Sequence, residues 1–198
     1  MIWKNIKLNK SLKVILKGKP NIEDIILFGS IVRGKDKPGD IDILVLFKDK
    51  VNKEDEYLIR KELENHFKNL SIISKTINSL YDPAFDAREA VLFEGISLIS
   101  GKKMTEKFGL SSVGMFKYHF QGWSKLTKTK FYHAFNGRNG LPGFSADLGA
   151  IKLSDGMVLV PLNKIEAMKG FLSSWNLSYQ YFPLLLPDRF NKKSILEG

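Results

Sequence analysis

The sequence predicts an α/β (α+β) protein in two parts, a strand-and-helix domain over 1–103 and a smaller basic α+β domain over 104–198. Three observations lead there. Short β-branched runs alternate with segments whose apolar residues recur at helical spacing. A polar stretch from Lys102 to Ser112, carrying Gly109, interrupts that pattern. The charge balance also changes there, from 19 basic against 15 acidic residues up to Lys103 to 12 against 6 beyond it.

Composition sets the outer limits. With 198 residues, 43% hydrophobic and 26% charged, the chain has enough apolar side chains for a real core. Its longest apolar runs, such as Ile41 to Phe47, fall well short of the ~20 residues that span a bilayer. The absence of cysteine excludes disulfides, thiolate-bound zinc, iron–sulfur clusters and thiol nucleophiles. Met1 to Lys19 has neither an apolar signal region nor a small-residue cleavage site, so a cytoplasmic protein without a membrane partner is expected.

The elements follow in order. Leu8, Leu12 and Leu16 form the stripe of a short amphipathic helix, ended by Gly18, Pro20 and Asn21. Ile25 to Phe28 reads as a buried strand, Gly29-Ser30 begins a helical turn, and Ile41 to Phe47 is a second strand. Asn52 caps a helix lined by Tyr57, Leu58, Leu63, Phe67 and Leu70. Ser71 to Leu80 reads as a third strand and Ala84 to Ile99 as a helix. In the second part, Val113 to Phe135 reads as helical, as one helix or as two broken near Gly122 or Thr127, with Phe116, Phe120 and Trp123 inward and Tyr118 at the surface. Asn136 to Gly143 is a loop, Ala150 to Pro161 a hairpin across Ser154-Asp155-Gly156, Asn163 to Trp175 a helix, and Ser178 to Leu186 a last strand.

The charge carries functional information. The net charge is +10, and no acid occurs between Lys107 and Ala146. That stretch holds Lys107, Lys117, Lys125, Lys128, Lys130 and Arg138, with aromatic residues interleaved. A field of one sign over such a length favours a polyanion, and rings beside cations suit RNA. Lys125, Lys128, Lys130, Tyr132 and Arg138 are the candidate nucleic-acid contacts. A uniformly lysine-rich surface is the plainer alternative. His119 and His133 have no ligand spacing and read as ordinary polar residues.

The most specific segment is Ile26-Leu27-Phe28-Gly29-Ser30-Ile31-Val32-Arg33-Gly34, followed by Asp40-Ile41-Asp42-Ile43-Leu44-Val45. Asp40 and Asp42, two apart on a strand, project to the same side. Their mutual repulsion becomes favourable when a hard divalent cation sits between them, as Mg²⁺ does with carboxylates and substrate phosphates. Gly29 and Ser30 offer backbone N–H groups and a hydroxyl on which a phosphate can dock.

In this order, hydrophobic-Gly-Ser, Arg-Gly and then Asp-x-Asp on a hydrophobic strand, the segment resembles the nucleotidyltransferases related to DNA polymerase β, in their minimal form. The likeness covers Ile25 to Leu46, with a helical continuation to about Gly101. It implies a mixed sheet with flanking helices. Gly29 and Ser30 would grip the β- and γ-phosphates of a nucleoside triphosphate, Arg33 would be a further phosphate contact, and Asp40 and Asp42 would hold Mg²⁺ or Mn²⁺. The implied activity is transfer of a nucleoside monophosphate to a hydroxyl, here expected on an RNA such as tRNA. The family pattern usually adds a third carboxylate on the next strand, yet Leu70 to Asn78 contains no acid. The nearest are Asp82 and Asp86 in the loop beyond and Glu94 on the following helix. A weak or inactive RNA-binding relative, and an antitoxin-like transferase that modifies a partner protein, are therefore the alternatives.

Overall fold

A computed structural model describes residues 6–189. The chain divides after Phe108 into two units. The first contains α1 (Ile6–Leu16), β1 (Ile22–Phe28), β2 (Ile41–Phe47), α2 (Lys53–Glu64), β3 (Leu70–Thr76), α3 (Arg88–Glu94) and β4 (Ile96–Ser97). Its sheet has the order β3-β2-β1-β4. The β2–β3 pair is parallel and the other two are antiparallel, so the sheet is mixed. A mixed sheet with accompanying helices is what the sequence pattern leads one to expect.

Successive side chains of a strand point to opposite faces, and here both faces of the two central strands are covered. On one face Ile26, Phe28, Leu44 and Leu46 meet Phe85, Val91 and Met104. On the other, Ile25, Leu27, Ile43, Val45 and Phe47 are fully buried. That double burial explains why β1 and β2 read as nearly continuous apolar runs. Leu12 of α1 is buried and Val14 exposed, whereas the side chain of Leu8 lies outside the described residues. Asn52 caps α2, its Oδ1 accepting the N–H groups of Glu54 and Asp55. The inward positions of α2 are Ile59 and Leu63, while Tyr57 and Leu58 face solvent and do not line the helix as the spacing suggested.

Two predicted elements are shorter than expected. The third strand stops at Thr76 and passes into a single 3₁₀ turn, Ile77–Tyr81. The helix expected from Ala84 to Ile99 is confined to Arg88–Glu94. The Asp82 side chain accepts the Ala84 N–H at 2.9 Å, a local turn that competes with helix before Arg88. Beyond Glu94 the chain leaves the helix to pair β4 with β1 at Ile26–Ser97 and Leu27–Ile96. Met104, four residues before Phe108, is buried in the α3-side core, so the 3₁₀ segment Met104–Phe108 belongs to the first unit.

The second unit contains β5 (Leu110–Tyr118), α4 (Lys125–Asn136), β6 (Gly137–Arg138), β7 (Leu141–Pro142), α5 (Phe144–Leu148), β8 (Ile151–Ser154), β9 (Met157–Pro161), α6 (Ile165–Ser174) and β10 (Tyr179–Pro187). Its antiparallel sheet runs β10-β5-β9-β8. The hairpin, the helix with Ile165, Met168 and Leu172 inward, and the last strand agree with expectation. The first element does not: Leu110–Tyr118 is a strand. Ser112, Gly114, Phe116 and Tyr118 alternate inward at period two, and Tyr118, expected at the surface, is 1% exposed. Asn136 to Gly143 is a small hairpin rather than an open loop. Its turn residues Asn139 (φ 54) and Gly140 (φ 80) are both left-handed, as a two-residue type I′ connection requires.

Truncating the buried Met104 tests the placement of the first unit's end. Met104→Ala should lower unfolding free energy by about 2–5 kcal/mol, read from urea unfolding. A change within ~0.5 kcal/mol, typical of surface positions, would contradict that placement.

Candidate functional site

The site is built where β1 ends beside the start of β2. Phe28 pairs with Asp42, so the next residue, Gly29, leaves the sheet directly against the Asp42 side chain. Gly29 has φ +83, and a Cβ there would overlap Asp42 Oδ2. Both the left-handed backbone and the close approach require glycine. The chain then turns through Ser30 to Lys35, with the Val32 N–H donating to Gly29 O at 3.1 Å and the Lys35 N–H to Ser30 O at 3.0 Å.

Asp40 lies exposed just before β2, and Asp42 is half-buried within it. Burial first, and the Asp40 charge second, push the Asp42 carboxyl above its ordinary value. Arg33 and a hydrogen bond with Ser71 act in the opposite direction, and Glu94 adds to the rise. Ser71 is the register partner of Asp42 on β3. The acid-free third strand therefore places a hydroxyl, not a carboxylate, beside Asp42.

Glu94, the last residue of α3, is the participant that sequence reasoning undervalued. It is 5% exposed. Its Oε2 accepts the Gly29 N–H at 2.9 Å and its Oε1 accepts Arg33 Nη1 at 2.6 Å. One buried carboxylate thus holds the turn at its glycine and its arginine, and Arg33 is engaged by protein rather than simply facing outward. A signal existed: Glu94 is the lone charge in Val91 to Ile99, and a charge buried in an apolar run must have partners.

The structure brings Gly29, Arg33, Asp42 and Glu94 together, with Asp40 and Ser30 at the rim. The basic candidates sit in the second unit. At roughly 100° per residue, Lys125, Lys128 and Tyr132 share one flank of α4, while Lys130 projects from the far side. Tyr132 is half-buried, its ring edge-on to Phe120, with Lys152 Nζ 5.5 Å from its centroid. Arg138 is exposed on the small hairpin.

The family described as polymerase beta, nucleotidyltransferase, matches residues 10–102. This segment is similar to the nucleotidyltransferase domain of that family. Two crystal structures are similar over 50% of this chain. One, a mutant of the toxin–antitoxin MntA–HpeT, is 18% identical with a TM-score of 0.36 over 78% of its own chain. The other, a toxin–antitoxin with AMP-PNP, is 20% identical with a TM-score of 0.35 over 78% of its chain. No curated protein matches.

A divalent ion fits the nucleotidyltransferase domain in one specific sense. Among the described residues no cluster of three or more acidic or histidine side chains could hold a metal ion alone. Asp40 and Asp42 are instead a two-carboxylate, all-oxygen set, which suits an ion completing its shell with water and substrate phosphates. The mutual repulsion felt at Asp42 is what such an ion would relieve.

Two variants test the site without any ligand. Gly29→Ala should destabilise the domain by at least ~1 kcal/mol from the left-handed backbone alone, measured by chemical unfolding, with the Asp42 clash adding to it. A Gly29→Ala protein as stable as wild type would contradict the close approach. Because the Asp42 pKa is raised from 3.8, the folded state binds that proton more tightly than the unfolded chain. Its contribution to stability is full below about 3.8 and is lost as pH rises through the folded value. Asp42→Asn should therefore melt higher than wild type near neutral pH in chelator, the advantage vanishing in acid. A lower melting temperature at neutral pH would contradict it.

Proposed function

We propose that the protein is a nucleotidyltransferase that moves a nucleoside monophosphate from a nucleoside triphosphate to a hydroxyl acceptor, with RNA as the acceptor. One observation carries the reading. The Asp42 carboxyl, its pKa raised by burial and by Asp40, stands against a left-handed Gly29 at the β1–β2 corner. Repelling carboxylates kept beside an exposed turn destabilise an empty protein and suit a cation brought in with phosphates.

The roles divide as follows. The N–H groups of the turn from Ser30 and the Ser30 hydroxyl hold phosphate oxygens, and Arg33 lends positive charge from beside them. Glu94 fixes the turn by accepting from Gly29 and Arg33. Asp40 and Asp42 would hold Mg²⁺ or Mn²⁺, which when bound supplies charge to the triphosphate and acidifies a nearby hydroxyl. In the transfer, an acceptor oxygen bonds to the α-phosphorus, the bond from that phosphorus to the bridging oxygen breaks, and pyrophosphate leaves. The hydroxyl proton passes to solvent, since β3 carries no acid to take it.

RNA as acceptor is supported by the acid-free stretch from Lys107 to Ala146 and by the flank of Lys125, Lys128 and Tyr132, with Arg138 on the adjoining hairpin. Incubation with α-labelled and γ-labelled triphosphates in Mg²⁺ or Mn²⁺ tests the reading. Label should reach RNA from the α position only, and Asp40→Asn and Asp42→Asn should each abolish it. Label on protein but not RNA would overturn the acceptor. No transfer from any triphosphate would leave the binding fold without the activity and overturn the enzyme.

A further inference from the structure

The second unit carries a cavity of about 430 Å³ at the open end of the β5–β10 pair. It is lined by Lys117, His119 and Gln121 from the end of β5 and the segment after it, by Trp123, and by Asn176 to Gln180 from the turn between α6 and β10. None of these is acidic. Among the described residues the side chains of Lys117, His119, Gln121, Asn176, Ser178 and Gln180 make no hydrogen bond or ion pair. Polar groups that converge on a cavity without engaging one another are disposed toward something else.

The backbone holds them there. Lys117 and Gln180 are register partners, which fixes a cation beside an amide. α6 ends with the Asn176 N–H donating to Ser173 O at 2.9 Å and the Leu177 N–H to Leu172 O at 3.0 Å. This is a Schellman ending, whose left-handed position is usually glycine. Here it is Asn176 (φ 51), a residue with a side-chain amide that lines the cavity. Trp123 is anchored against Phe120 at 5.3 Å and Trp175 at 6.2 Å, so its ring is a rigid wall. Tyr179 supplies a second ring.

We infer that this cavity binds one nucleotide of a single-stranded RNA, a base against Trp123 or Tyr179 and a phosphate at Lys117. Flat rings offer every base a stacking surface, the amides of Asn176, Gln121 and Gln180 can meet base edges, and Lys117 and His119 meet the backbone. A volume of this size suits a mononucleotide unit. The inference deepens the proposed acceptor, because it names where that RNA is held.

The test measures binding alone. Full-length Asp42→Asn protein in chelator, which cannot transfer, is titrated into a short fluorescein-labelled oligo(A) and read by anisotropy. Failure of the transferase reading leaves this experiment untouched. Lys117→Gln combined with His119→Ala, both at the end of an exposed strand face, should weaken binding about tenfold or more, the loss of a charge-assisted contact. It should also flatten the salt dependence by about 0.7 in log–log slope. Gln180→Ala should weaken binding while Lys68→Gln, an exposed lysine of the first unit, leaves it unchanged. Unlabelled oligo(A) should displace the probe where polyglutamate at equal concentration does not. No binding, equal losses from the Lys117→Gln/His119→Ala double variant and from Lys68→Gln, or displacement by polyglutamate would each overturn the inference.

Discussion

A carboxylate lies where the side chain of residue 29 would have to go. That contact between Gly29 and Asp42 follows from the register of β1 on β2, which sets Phe28 opposite Asp42. The register is held by the ladder from Ile25–Val45 to Phe28–Asp42 and by the close packing of particular side chains on both faces of the two strands. The core therefore does more than hold the sheet together. It presses a charged group against a turn that only glycine can begin.

The same corner concentrates negative charge. Asp40, Asp42 and Glu94 influence one another, and Arg33 is the cation that offsets them. Glu94 is satisfied by the Gly29 N–H and the guanidinium, which makes its burial tolerable. Asp42 has the Ser71 hydroxyl as a partner, and the Arg33 charge only partly offsets the burial and the Asp40 repulsion that raise its pKa. Under the proposed function, charge of the opposite sign brought by a ligand would restore balance, and stability and binding would pull against each other at Asp42.

What was legible in the sequence follows from which signals were local. Ile41 to Phe47 matched β2 residue for residue because a doubly buried strand must be continuously apolar. The Gly-Ser turn and the Asp pair were readable because their chemistry lies within one short segment. Glu94 was not, since its role depends on α3 packing back onto β1 across 65 positions in sequence. Leu110–Tyr118 was misread because Phe116, Phe120 and Trp123 also fit helical spacing, while the alternation through Ser112 and Gly114 was carried by small residues that give little apolar signal. Tyr57 and Leu58 misled in the opposite way, as exposed apolar side chains that are normal on a surface.

Under the proposed function, the Gly29 turn is a phosphate cradle completed by the Asp pair. Backbone ¹⁵N–¹H resonances followed during titration with ATP and Mg²⁺ test it, because the Ser30 amide reports a phosphate partner and the Gly29 amide, held by Glu94, reports any change in the turn. The account predicts that Gly29, Ser30 and Asp42 shift together and saturably, and that ATP without Mg²⁺ moves them less. Resonances that shift elsewhere while these three stay fixed at saturating ATP and Mg²⁺ would contradict it.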